Sequence, residues 1–89
     1  MQSEVTILVG KKPLMSYVLA CLLSLQQGQN VVVKARGRAI GRAVDVVQVL
    51  KNRFVKELKI QDVKLGSEQL TGQDGRTVNV STIEIKVTQ

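Results

Sequence analysis

Residues 31–45 read VVVKARGRAIGRAVD, and the order of residue types in this stretch predicts the centre of the fold. Three valines predict a strand, the glycine between Arg36 and Arg38 predicts a sharp turn, and an apolar pattern at helical spacing follows. Arginines at a helix start oppose the helix dipole, because the N-terminus already carries partial positive charge. They become favourable when an anion docks there, since amide groups and cations then converge on it. We therefore interpret the stretch as a strand, a turn and a helix that bind a nucleic-acid phosphate.

The size and charge of the chain narrow the function further. Its 89 residues predict a single domain, residues 1–89, near the lower size limit for independent folding, so burial of a further face in a dimer is favoured. Thirteen Lys and Arg residues against seven Asp and Glu residues give a net charge of +6. This sign favours a polyanionic partner, although basic surfaces also serve solubility.

The cysteine content and the longest apolar run indicate the compartment. Cys21 is the one cysteine and the chain has no histidine, which excludes an intrachain disulfide and a Cys/His metal site. The apolar run of residues 14–25 is about twelve residues long, whereas a bilayer span needs about twenty. We therefore expect a soluble intracellular protein with no membrane partner.

Upstream of the central stretch, the pattern predicts a strand and a largely buried helix. Residues 5–9 are aliphatic and end at Gly10, which is typical of a buried strand. A helix is predicted from Pro13 to about Gln27, with Gly28 as its C-cap. Its core face is formed by Leu14, Val18, Cys21, Leu22 and Leu25, and it is widened by Met15, Leu19 and Leu23.

The second helix is predicted over residues 38–54. Its core stripe consists of Ile40, Ala43, Val44, Val47, Leu50 and Phe54. Val46 and Val49 lie off that stripe, so a second apolar patch is predicted to face a partner subunit. Phe54 is either part of the core or an exposed contact for another dimer, and the pattern alone leaves both open.

The last third of the chain predicts a long hairpin. Apolar residues alternate in each arm and then change parity, which indicates bulges or a strong twist. Asp74-Gly75 is a strong turn signal between the arms. The mostly polar outer hairpin is either an arm that reaches into a groove or a flexible surface loop. The element order is therefore β-α-β-α-β-β, an α+β two-layer sandwich with a long protruding β3–β4 hairpin.

The sequence offers few residues suited to catalysis, whereas residues suited to phosphate binding are plentiful. The carboxylates are scattered without an acid/base pair, Cys21 is predicted to be inert core, and no cofactor or metal is expected. Lys11 and Lys12 precede the first helix, and arginines surround the start of the second. Parallel strands would bring both helix starts to one edge of the sheet, so the cations are predicted to share one face. Because only two aromatic residues are present, we expect phosphate contacts with weak sequence specificity.

Six segments in order resemble the Alba family of archaeal chromatin proteins. They are residues 7–13 (ILVGKKP), 34–40 (KARGRAI), 42–45 (RAVD), 52–54 (NRF), 74–76 (DGR) and 81–85 (STIEI). The resemblance implies a non-enzymatic homodimer that binds double-stranded DNA and RNA without sequence specificity, and that coats and compacts nucleic acid. It also implies assembly of dimers along a duplex, or a heterodimer with a paralogue, in the cytoplasm on the chromosome (nucleoid).

The resemblance also implies roles for individual residues. Those that would contact nucleic acid are Lys11, Lys12, Tyr17, Arg36, Arg38, Arg42, Arg76 and Asn79, the last two through the hairpin in the minor groove. Those at contacts between dimers would be Asn52, Arg53 and Phe54. Lys11 or Lys12 matches the position of a regulatory acetylation. Three other functions stay open: an RNA chaperone or ribonucleoprotein subunit, an enzyme acting on nucleic acid, and a purely structural protein.

Overall fold

The computed structural model describes residues 3–89 and has the predicted β-α-β-α-β-β order. The elements are β1 (Glu4–Leu8), α1 (Leu14–Gln26), β2 (Asn30–Arg36), a 3-10 turn (Gly37–Ala39), α2 (Ile40–Val49), a π-helical turn (Leu50–Phe54), β3 (Lys59–Thr71) and β4 (Thr77–Thr88). The three consecutive helical pieces from Gly37 to Phe54 occupy the region predicted as one helix. Neither α-helix in the described part of the chain is long and apolar enough to cross a membrane.

The four strands form one sheet in the order β1-β2-β4-β3. β1 and β2 pair in parallel, whereas β4 pairs antiparallel with both β2 and β3. In β2 the odd-numbered residues Val31, Val33 and Ala35 are buried, and the even-numbered ones are not. Both helices therefore cover one face of the sheet, the inner face, and leave the opposite, outer face to solvent. This arrangement confirms the α+β architecture.

The core lies between the helices and the inner face. Ala43, Val47 and Leu50 of the predicted stripe are buried in it, but one of the valines was assigned wrongly. Val46 is fully buried with Ala43 and Leu50, whereas Val44 is 38% exposed. The prediction that Val46 faces outward is therefore wrong, and so is the assignment of Val44 to the core. Residues 43, 46, 47 and 50 satisfy the same helical spacing as the predicted set, so periodicity alone does not choose between the two valines.

The prediction that α1 is largely buried is wrong for one face. Val18, Cys21 and Leu25 are buried as expected. Met15, Leu19 and Leu23 form a stripe that is 38%, 52% and 57% exposed. A two-layer fold covers only the side of a helix that faces the sheet and its neighbour, so this stripe points to solvent.

The predicted boundaries of α1 and the predicted burial of β1 need smaller corrections. Pro13 occupies the N-cap position and the helix begins one residue later, while Gly28 has φ +80 just after the C-cap Gln27. β1 lies at the edge of the sheet and is not buried as predicted, because only its inner side contacts the helices. Leu8 lies on the outer side and is 67% exposed.

The hairpin contains one of the predicted irregularities. The register shifts between Ile60 and Asp62 in β3, which is the expected bulge, but β4 pairs without interruption. The parity change in β4 means instead that Val78 and Val80 lie on the outer face, opposite to Ile83. At the tip, Gly75 has φ +81 and the Gly72 amide donates to the Arg76 carbonyl at 2.8 Å, which confirms the Asp-Gly turn.

Leu50→Ala is expected to lower the free energy of unfolding by about 2–5 kcal/mol, because it leaves a cavity beneath both helices. Leu50 is 0% exposed and belongs to the main apolar cluster. Leu19→Ala removes the same atoms from the exposed stripe of α1, and we expect less than about 1 kcal/mol there. Urea unfolding at one protein concentration measures both, and equal losses would contradict the assigned core.

Candidate nucleic-acid interface

A groove of about 640 Å³ lies at the edge of the sheet where β1 and β2 end. It is lined by Leu8, Val9, Gly10, Lys11, Arg36, Arg38, Ala39 and Arg42. Four of the five cations predicted to share one face therefore surround it, and Lys12 follows Lys11 directly. A smaller depression shares Leu8 and Arg36 with the groove and is also lined by Lys34, Ala35, Glu68 and Thr82. We call the larger feature the cationic groove.

The parallel pairing of β1 and β2 explains why these residues meet. Leu8 is level with Lys34 in the sheet register, so the loop after β1 and the turn after β2 emerge at the same edge. Gly37 has φ +57, a conformation that other residues rarely adopt, and an added Cβ would lie 3.3 Å from Val80 Cγ1. The glycine thus permits the sharp turn that places Arg36 and Arg38 on the groove.

The exposed cations of the groove differ in their partners. Lys11, Lys12 and Arg38 are exposed and make no ion pair within residues 3–89. Arg36 Nη1 lies 3.3 Å from Glu68 Oε2, with both side chains more than half exposed. Three of these cations can therefore bind an anion without first breaking an ion pair, whereas Arg36 is paired with the carboxylate of Glu68.

If Arg36 binds phosphate as the sequence predicts, Glu68→Gln is expected to raise the affinity for duplex DNA about two- to fivefold, because Glu68 would otherwise compete with the phosphate for Arg36. The gain is small because an exposed ion pair is weak. Glu57→Gln is the matched control, since it removes the same charge from the exposed segment after the π-helical turn. Fluorescence anisotropy with a labelled duplex measures the change. An equal rise in both variants would show that net charge, and not the Arg36–Glu68 pair, is responsible.

Arg42 and Tyr17 bind the backbone of the loop that carries the lysines, residues 10–13, which we call the lysine loop. Arg42 Nε donates to the Gly10 carbonyl at 3.0 Å, and Arg42 Nη2 donates to the Lys12 carbonyl. The Tyr17 hydroxyl accepts from the amides of Gly10 and Lys12, each at 3.0 Å. Tyr17 is only 8% exposed. Both side chains therefore reach the groove region, but through the loop backbone.

The two hairpin residues lie away from the cationic groove. Arg76 lies in the tip turn, where its Nε is 3.6 Å from Asp74 Oδ2 and its side chain is 87% exposed. It is six residues from Thr82, the β4 partner of Arg36, which corresponds to about 20 Å along a strand. Asn79 is exposed opposite Gln69, between the tip and the base. The structure thus separates these two residues from the four groove cations by the length of the arm.

The residues implied in contacts between dimers lie in the π-helical turn that follows α2. Asn52, Arg53 and Phe54 are all exposed in the π-helical turn, and Phe54 is 42% exposed. This favours the second of the two interpretations of Phe54, an exposed contact. The turn is held by Lys51, whose Nζ donates to the Leu58 carbonyl at 3.0 Å.

The described residues offer little for covalent or metal chemistry. Burial raises the pKa of the Cys21 thiol to about 11, so the thiol is protonated and unreactive at neutral pH. No group of three His, Cys, Asp or Glu side chains within residues 3–89 is placed to hold a metal ion. The groove itself is lined by cations, backbone and aliphatic carbon, which suits an anion with apolar parts.

Two residues at this site were not predicted from the sequence. Leu8 lies in the groove with 67% of its surface exposed. Val5, Ile7 and Val9 lie on one side of β1, so Leu8 lies on the other side. If β1 is an edge strand covered on one side only, this alternation predicts that Leu8 is exposed. Glu68 had no local signal, because its partner Arg36 is 32 residues away.

Comparisons with known proteins place these features in one family. The sequence model of the Alba family matches residues 5–67. The fold is similar to Alba from Thermoplasma volcanium, with a TM-score of 0.88 and 39% identity over 94% of this chain and 99% of that one. It is also similar to ALBA1 from Trypanosoma brucei, with a TM-score of 0.77 and 27% identity over 94% of this chain and 68% of that one. The chain therefore belongs to the Alba family, whose members are generally nucleic-acid-binding proteins.

Proposed function

We propose that this protein is an architectural chromatin protein that binds double-stranded DNA without sequence specificity, binds RNA as well, and coats and compacts nucleic acid as homodimers. The observation that carries the proposal is the cationic groove, where Lys11, Arg36, Arg38 and Arg42 line one recess. A cluster of this kind is the electrostatic footprint of a phosphate-binding surface. The net charge of +6 adds a favourable long-range field.

The groups at the groove that have no partner within the described chain determine how the protein contacts nucleic acid. Lys11, Lys12 and Arg38 meet backbone phosphates directly, and Arg36 does so after release from Glu68. The amides of Gly10 and Lys12 already donate to Tyr17, so side-chain cations and not these amides bind the phosphates. Neither aromatic ring lines the groove: Tyr17 is buried with its hydroxyl bound to the lysine loop, and Phe54 is on the π-helical turn. Base stacking therefore contributes little, and binding depends weakly on sequence.

The uncovered inner face of β3 supports the homodimer. Val63 and Leu65 pair with Ile85 and Ile83, whose side chains are in the core, so all four lie on the inner face. Both helices pack over β1 and β2 and leave β3 open. Val63 and Leu65 are consequently 49% and 80% exposed. A second copy of the chain, related by a two-fold axis, covers this aliphatic surface.

The proposed dimer also gives roles to the hairpin, to the π-helical turn and to acetylation of the lysine loop. The hairpin arms extend toward the minor groove and bring Arg76 and Asn79 to the duplex. Asn52, Arg53 and Phe54 contact the next dimer along the nucleic acid, or a paralogue takes the place of one subunit. Acetylation of Lys11 or Lys12 removes a charge from the groove and weakens phosphate binding. Such a protein acts in the cytoplasm on the chromosome (nucleoid), and its single domain carries no catalytic activity.

The proposal is tested with the wild-type protein on a panel of nucleic acids. We expect the dissociation constants for several unrelated duplexes of equal length to agree within about threefold, because phosphate contacts carry no base information. An RNA of the same length is measured beside them. Strong preference for one duplex sequence, or no retardation of any nucleic acid at moderate salt, would contradict the proposal. Preference for RNA over every duplex would favour the RNA chaperone or ribonucleoprotein alternative.

A further inference from the structure

We propose that Arg42 and Tyr17 are positioning residues that clamp the lysine loop, and that Arg42 contributes to binding through Lys11 and Lys12 and not as a phosphate ligand. The inference rests on the proposed function, because it explains how that function presents its lysines. It assigns Arg42 a different role from the other three cations of the groove.

The clamp holds the lysine loop at two residues and from two helices. The amides of Gly10 and Lys12 donate to the Tyr17 hydroxyl, and the carbonyl groups of the same two residues accept from the Arg42 guanidinium. Tyr17 comes from α1 and Arg42 from α2, and 25 residues separate them. Four backbone groups of a short loop are thus bound by two side chains. Lys11 lies between the two bound residues, and its side chain lines the groove.

The geometry of Arg42 argues against a role as a phosphate ligand. Its Nε and one Nη already donate to carbonyl groups, and the residue is half-buried. The planar guanidinium suits this double contact, and a lysine ammonium has no equivalent fork. Arg38 gives the comparison, since it lines the same groove, is exposed and has no ion pair in the described chain.

The clamp has a consequence for binding because an ordered loop loses less entropy when it meets a phosphate chain. Without it, Lys11 and Lys12 keep their charge and lose their fixed positions. The loop thus has its backbone fixed and its lysine side chains free.

A double-mutant cycle distinguishes the two roles of Arg42. The dissociation constant for one random-sequence duplex is measured at fixed salt for four proteins: wild type, Arg42→Lys, Lys11→Ala/Lys12→Ala, and the combination of all three changes. Arg42→Lys keeps the charge and removes the fork. We expect it to weaken binding about fivefold in the wild-type background and to have no further effect when both lysines are absent. An equal loss in both backgrounds, or no loss in the first, would overturn the inference.

Arg38→Lys is the matched control for the cycle. It makes the same chemical change at an exposed position of the same groove, and we expect its effect to be equal in both backgrounds. An Arg38→Lys effect that also vanishes with the lysines would show that the cycle reports general loss of the groove, which overturns the assignment to Arg42.

Hydrogen exchange separates failure of the clamp from failure of the proposed function. Tyr17→Phe removes one oxygen, and we expect the amides of Gly10 and Lys12 to exchange at least about tenfold faster while the α1 core amides stay protected. This measurement needs no nucleic acid. Unchanged exchange would overturn the clamp even if the protein binds DNA. If wild type binds no nucleic acid but exchange accelerates as expected, the clamp stands and the proposed function fails.

Discussion

Leu65→Asp is expected to convert the proposed homodimer into a monomer at micromolar concentration. Leu65 is 80% exposed in the isolated chain and lies on the face of the sheet that forms the core elsewhere. A carboxylate placed there loses hydration when the second copy covers it, and this cost is several kcal/mol. Two-fold symmetry applies the cost twice, so a rise of at least about 100-fold in the dimer dissociation constant is expected.

Sedimentation equilibrium measures this change, and Val78→Asp is the matched control. Val78 is also exposed and on the same hairpin, but its side chain lies on the outer face. The control is expected to remain dimeric. Circular dichroism of both variants establishes that the hairpin still forms. A dimeric Leu65→Asp protein, or equal dissociation of the two variants, would contradict the assignment of the inner face of β3 as the interface.

Replacing Arg36 and Arg38 together by glutamine is expected to lower the affinity for duplex DNA by at least about 100-fold at low salt. Each subunit loses two of the cations that line the groove. The proposed homodimer therefore loses four cations, each of which would add affinity by releasing counterions from a phosphate. The loss is uniform across sequences, because these contacts read the backbone and not the bases.

Lys56→Gln/Lys59→Gln is the control for net charge. It removes the same number of cations per subunit, but both lysines are exposed at the opposite end of the sheet, where Lys59 pairs with Thr88. We expect a loss of less than about fivefold, from the long-range field alone. Electrophoretic mobility shifts with three unrelated duplexes compare the variants. Equal losses in the two double variants would show that the groove has no special part in binding.

The fold was largely predictable from the sequence because its signals are local. The strand, turn and helix of residues 31–45, the Asp74-Gly75 turn and the bulge of β3 follow from short patterns. Which side of each helix is exposed did not follow from such patterns. Val44 and Val46 fit the same helical spacing, and the exposure of Leu19 depends on which side of α1 the sheet and α2 cover. Those facts are set by packing between distant segments.

The position of the site was predictable from the sequence, but several of its contacts were not. Parallel pairing of β1 and β2 brings Lys11 to the arginines, as the element order indicated. The bonds from Arg42 to the lysine loop span 30 residues or more, and so does the pair of Arg36 with Glu68. No sequence pattern encodes which of several neighbouring arginines turns toward a backbone carbonyl. The inner-face exposure of Leu65 also needed the topology, because alternation gives parity but not which face is covered.

The salt dependence of wild-type binding to a random-sequence duplex tests the central claim most directly. Each neutralised phosphate contributes about −0.9 to the slope of log K against log salt concentration. Lys11, Lys12, Arg36 and Arg38 from both subunits predict a slope between about −4 and −7, since not every cation needs to reach a phosphate. A slope near zero would mean that the cationic groove does not hold the nucleic-acid backbone, and would contradict the account.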